Sequence, residues 1–136
     1  MSRWTRGQVA GTLLTVAVVA AVAAGLYVAG SPDDARARRF DERRVGDLST
    51  IVARVDVFWT RQGRLPSSLD DLRQAPGADL PTADPETGRA YEFHLVGGRT
   101  FDVCAAFSRP SAPSADPFWT HGTGRHCFRR DARTLR

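Results

Sequence analysis

Residues 91–107, YEFHLVGGRTFDVCAAF, decide the architecture. Polar and apolar side chains alternate on both sides of Gly97-Gly98, the period of a half-buried strand. Two strands are predicted, around Tyr91–Val96 and Thr100–Phe107. Tyr91, Phe93 and Leu95 share one face of the first; Phe101, Val103, Ala105 and Phe107 share one face of the second. The turn settles whether those faces coincide. A two-residue Gly97-Gly98 loop pairs Leu95 with Thr100 and turns the apolar sets apart. A three-residue Gly97-Gly98-Arg99 loop pairs Leu95 with Phe101 and Phe93 with Val103, making one sheet face apolar. The three-residue register is expected. Glu92, His94, Asp102 and Cys104 then project from the other face, where Cys104 is open to a later segment.

An apolar sheet face needs a cover. Upstream, Leu48, Ile51, Val52, Val55, Phe58 and Trp59 recur at helical spacing, with Val45 extending the stripe backward. Ser31-Pro32-Asp33-Asp34 reads as a helix start with Ser31 as N-cap, and Gly63 falls where a left-handed C-terminal residue belongs. A helix is predicted over about 33–62. Its other side carries Arg36, Arg39, Arg43, Arg54 and Arg61, read as a solvated face. Leu65-Pro66-Ser67-Ser68-Leu69-Asp70-Asp71-Leu72 looks like a loop entering a short helix with Ser67 as N-cap. Asp84-Pro85-Glu86-Thr87-Gly88 is a turn, because Asp bonds the backbone, Pro sets φ and Gly accepts a left-handed conformation. A third strand is predicted near 126–129, after a Ser-, Pro- and Ala-rich loop over 108–117.

Further upstream the run VAGTLLTVAVVAAVAAGLYVAG, residues 9–30, carries no charge. Its 22 residues rise about 33 Å as a helix, enough to cross a hydrocarbon core of about 30 Å. Arg3 and Arg6 precede it, and Trp4 sits where an interfacial aromatic lies. Ala21-Val22-Ala23 fits a signal-peptidase site, but the apolar run continues through Leu26, Tyr27 and Val28, so an uncleaved anchor is expected. Arg36, Arg38, Arg39, Arg43 and Arg44 follow the span and by count favour a cytoplasmic domain. The short N-terminal tail and the paired cysteines favour the opposite orientation, with the N-terminus inside and the domain outside, which is the one expected. Ala17, Ala21 and Gly25, continued by Ala29, recur every four residues and allow close approach of another membrane helix. The domains expected are a tail over 1–8, the span over 9–30, an extracytoplasmic domain over 31–129 and a basic tail over 130–136 that frays.

The composition bounds the function. Of 136 residues, 42% are apolar and 25% charged, with 19 Arg and no Lys against 15 acidic residues. Setting the span aside leaves room for one small folded domain, which excludes a multidomain enzyme. The aromatic-interleaved basic strands of an RNA binder are missing, so no nucleic-acid partner is expected. No phosphate loop or metalloprotease helix is found, and neither catalytic residues nor a cofactor are assigned.

The order of elements resembles type IV pilin-like domains and the pseudopilins of type II secretion. The likeness rests on an apolar helix leading into a long amphipathic one, then Gly63-Arg64-Leu65-Pro66-Ser67-Ser68-Leu69, then Asp84-Pro85-Glu86-Thr87-Gly88-Arg89-Ala90-Tyr91-Glu92-Phe93. It is similar, more specifically, to bacterial membrane proteins with a Cys-Ala-x-Phe segment followed by Trp-x-His-x-x-Gly-x-x-Cys-Phe. Here these are Cys104-Ala105-Ala106-Phe107 and Trp119 to Phe128. The resemblance implies an α+β pilin-like fold at the bacterial inner membrane. The prepilin cleavage site and the acidic residue inside the span have no counterpart, so filament assembly is not implied.

Cys104 and Cys127 are the only cysteines. A disulfide is the expected state; zinc held by Cys104, His121, His126 and Cys127 is the rival, and free buried thiols the third. Trp119 and His121 either cap the core beside the cysteines or mark an interaction patch. The function expected is a non-enzymatic, membrane-anchored structural or accessory subunit. Its expected partners are the membrane and membrane proteins, met through the transmembrane helix and an exposed sheet. The alternatives are a pseudopilin-like component of a secretion or pilus assembly, and a zinc-binding or redox envelope enzyme.

Overall fold

A computed structural model describes residues 6–29, 31–74, 79–113 and 116–135 of the chain. They belong to two compact units, Met1–Arg36 and Ala37–Arg136. The first contains helix α1 (Arg6–Ala29). This helix is long and apolar enough to cross a membrane. Leu13, Leu14, Val19, Val22 and Leu26 all stand exposed on it. The hydroxyls of Thr12 and Thr15 donate back to the carbonyls of Gln8 and Gly11, so these polar groups are satisfied within the helix. Arg3, Trp4 and Gly30 lie outside the described residues.

Helix α2 runs Pro32–Gln62. Ser31 Oγ accepts from the Asp34 amide at 3.2 Å, the expected N-cap bond. Gly63 closes the helix at φ +65°, its amide bonded to the Trp59 carbonyl at 2.8 Å. The short helix α3 spans Leu69–Arg73. Ser67 does not cap it as predicted. Ser68 holds the N-cap position without a side-chain bond, while the Ser67 amide and hydroxyl both donate to the Asp71 carboxylate.

Strands β1 (Glu92–Gly97), β2 (Thr100–Phe107) and β3 (Gly124–Asp131) form one antiparallel sheet in the order β1-β2-β3. Leu95 pairs with Phe101 and Phe93 with Val103, the register the alternation demands. The turn reaches it differently from expectation. Gly97 pairs with Thr100 around Gly98-Arg99, and a bulge at Val96 restores the parity. Gly98 sits at φ +49°, where a side chain is strained. Strand β3 is longer than predicted because it pairs with β2 over the full length of both, from Thr100–Asp131 to Phe107–Gly124.

The core lies between α2 and one sheet face. Leu48, Ile51, Val55, Phe101 and Val103 are wholly buried, with Tyr91, Phe107 and Phe128 around them. The segment expected to fray is held in place. Ala132 is buried and its amide donates to the Arg99 carbonyl; the Arg133 amide donates to Asp56, and the Leu135 amide to Thr60 Oγ1. Two of these three acceptors are side-chain oxygens on α2, which nothing in the Arg-rich tail itself reveals. Because Ile51 has no exposed atoms, Ile51→Val is expected to lower stability by about 1 kcal/mol, read as a fall in urea midpoint at unchanged slope.

Candidate functional site

Three features of the Ala37–Arg136 unit concentrate chemistry. The first is buried. Arg44, on the same side of α2 as Leu48, Ile51 and Val55, is 1% exposed. Its guanidinium bonds both oxygens of Asp84 (2.5 and 3.1 Å), Asp41 Oδ1 (2.7 Å) and Glu86 Oε2 (2.5 Å). Asp41 also accepts the amides of Ser108 and Arg109 at 2.9 Å, and Asp84 those of Glu86 and Thr87. One arginine thus joins α2, the 84–88 turn and the exit of β2. Burial lowers the Arg44 pKa, but its bonds to Asp84, Glu86 and Asp41 outweigh that and raise it. Burial raises the Asp84 carboxyl, yet its bonds from Arg44 and from the Thr87 and Glu86 amides bring it below the ordinary carboxylate range. Nearby, Tyr91 donates to Asp47 at 2.7 Å; burial first and that bond second push the phenol up.

The second feature is a cavity of about 530 Å³ beside this hub, bounded by Arg38 and Glu42 of α2, Arg109 and Asp116 of the loop after β2, and Trp119 and His121. The 3₁₀ turn Pro117–Trp119 positions Trp119, with Asp116 accepting the Phe118 amide at 2.9 Å. The Trp119 ring meets Phe128 at 4.8 Å, and His121 stacks on Phe107 at 3.6 Å between centroids. Ser111 holds the His121 backbone through its amide and hydroxyl. Both residues therefore cap the helix-facing side of the sheet and line the cavity at once. The Arg130 guanidinium lies over the Phe118 ring; its Nε is buried without a partner, and burial lowers its pKa.

The third feature is the other sheet face. Cys104 and Cys127 face each other across β2 and β3 and are joined as a disulfide, 23 positions apart. Glu92 lies beside Cys104 on β1, extending the row across all three strands. Arg125 clasps both Glu92 oxygens (2.8 and 2.7 Å), and Arg129 clasps Asp102 (2.9 and 3.0 Å). Arg125 and then His94 hold Glu92 down at about 2. Arg129 likewise lowers Asp102.

The sulfurs are thus on the face opposite Trp119 and His121, not beside them. The proposed zinc set is not assembled: the cysteines are bonded to each other, and His126 turns toward Phe128 and His121. Donor atoms of Glu92, His94 and Cys104 do converge, within 4.8 Å of one another. On α1, Ala17, Ala21 and Gly25 lie four apart and exposed. Arg44 was missed as a site because it sits in an Arg-rich run; its place four residues before Leu48, with Asp41 three residues earlier still, was the available signal. Comparison of the chain with family models, with curated proteins and with solved structures gives no match.

Proposed function

We propose that this chain is a non-enzymatic accessory subunit, anchored by α1 as a single span in the bacterial inner membrane, with a pilin-like domain on the extracytoplasmic side. The observation that carries this reading is the pairing of a membrane-length apolar helix with a disulfide in the unit that follows it. Disulfides persist in oxidising compartments, which outweighs the arginine count after the span. That count is also weakened by Arg44, whose charge is neutralised by Asp41, Asp84 and Glu86. The order of elements, a long helix followed by an antiparallel meander with a disulfide across its last two strands, supports the pilin-like reading. Contacts with membrane-protein partners would run through the Ala17-Ala21-Gly25 ridge and the exposed sheet, without nucleic acid.

Topology is the direct test. Protease added to spheroplasts producing the full chain is expected to degrade the C-terminal unit while a marker enzyme of the cytoplasm survives. A C-terminal unit protected until the membrane is permeabilised would reverse the orientation and remove the extracytoplasmic role.

A further inference from the structure

The row Glu92–Cys104–Cys127 and the neighbouring His94 place four metal-donor side chains on one face of the sheet. The geometry points to a zinc-class metal site that exists only when the disulfide is open: Cys104, Cys127 and His94 as ligands, with Glu92 completing the tetrahedron. Donor atoms of Glu92, His94 and Cys104 already lie within 4.8 Å of one another, and Cys127 Sγ is bonded to Cys104 Sγ. Small side-chain rotations bring such a set onto a tetrahedral ion with bonds of about 2.0–2.3 Å. His94 is exposed and Glu92 half-buried, so an ion approaches from their side toward the buried Cys104. His94 Nε2 and Glu92 Oε2 stand 2.9 Å apart, and the ion would take the place of that hydrogen bond.

The surroundings suit the charge. Two thiolates and a carboxylate around a divalent ion leave one negative charge. Arg125, bonded to Glu92 and with Nη2 3.7 Å from Cys104 Sγ, stands ready to balance it and to orient the carboxylate from outside. A dithiol reductant supplies two electrons and two protons; the S–S bond breaks, two thiols form, and the reductant leaves as its own disulfide. The ion then displaces the two thiol protons to solvent. In the oxidised protein neither sulfur is a thiolate and the site is closed. This proposal does not depend on the orientation of the domain.

The test uses the full chain in detergent, reduced with a dithiol that is then removed under argon, and titrated with Co²⁺. The reduced chain is expected to bind a single Co²⁺ with a thiolate-to-metal charge-transfer band, displaced by Zn²⁺, while the oxidised chain shows none. His94→Ala is expected to weaken binding by at least about tenfold, and Glu92→Gln to weaken it measurably. His126→Ala, which alters the opposite face, is expected to leave it unchanged. His94 is exposed and Glu92 half-buried outside the core, and retention of the fold in both variants is checked by circular dichroism. No band in the reduced chain, a band indifferent to His94→Ala, or one lost in His126→Ala would overturn the assignment.

Discussion

Arg44→Met is expected to destabilise the Ala37–Arg136 unit by about 3–5 kcal/mol, a large share of the ~5–15 kcal/mol typical of a domain. Methionine retains much of the stem volume, so the loss isolates the charge. Asp41 and Asp84 would be left buried, facing no cation, and Asp41 would lose the partner that fixes its hold on the Ser108 and Arg109 amides. The measurement is the urea midpoint, with Arg43→Met as control. Arg43 is exposed on the same helix, and its replacement is expected to change stability by less than ~0.5 kcal/mol. The same hub sets the acid limit. The Asp84 carboxyl is depressed in the folded state, so its contribution is complete above the ordinary carboxylate value of about 4. It shrinks as pH falls below that value and is gone once pH passes the folded one. Acid titration of stability should therefore be flatter in Arg44→Met than in the parent. Equal acid slopes in the two proteins would show that Arg44 does not set Asp84.

Replacing both cysteines, Cys104→Ala with Cys127→Ala, is the second large effect. The bond closes a loop of 23 positions, whose release adds about 3 kcal/mol of chain entropy to the unfolded state. At about 4–8 °C per kcal/mol for a unit of this size, Tm should fall by roughly 12–24 °C. A dithiol should lower the Tm of the parent by a similar amount and leave the double variant unmoved. A parent indifferent to the dithiol would mean that the bond adds nothing to the fold.

How far the sequence could be read depended on whether information was local. The meander was legible because Phe93, Leu95, Phe101 and Val103 alternate with polar residues, and only one register puts them together. The α2 boundaries were legible because Ser31 and Gly63 act on their own neighbours. The disulfide followed from parity and from the face on which Cys104 falls. What escaped is long-range. Arg44 shares the buried side of α2 with Leu48, but two of its three acidic partners, Asp84 and Glu86, lie 40 and 42 positions on. The tail looked free because its anchors, Asp56 and Thr60, lie 77 and 75 positions earlier. The cavity at Trp119 and His121 depends on the path of the loop after Phe107, which no periodicity encodes. The identity of the histidine near the sulfurs was recoverable. His94 and Cys104 were already on one face, whereas His126, adjacent to Cys127 in sequence, had to point away.

The stitching of Arg133 and Leu135 onto α2 carries a kinetic corollary. A ribosome delivers α2 long before it delivers β3, and the oily flank around Leu48, Ile51 and Val55 has no lid during that interval. Contacts of such sequence span slow folding. That flank is therefore covered only once the final strand has been made.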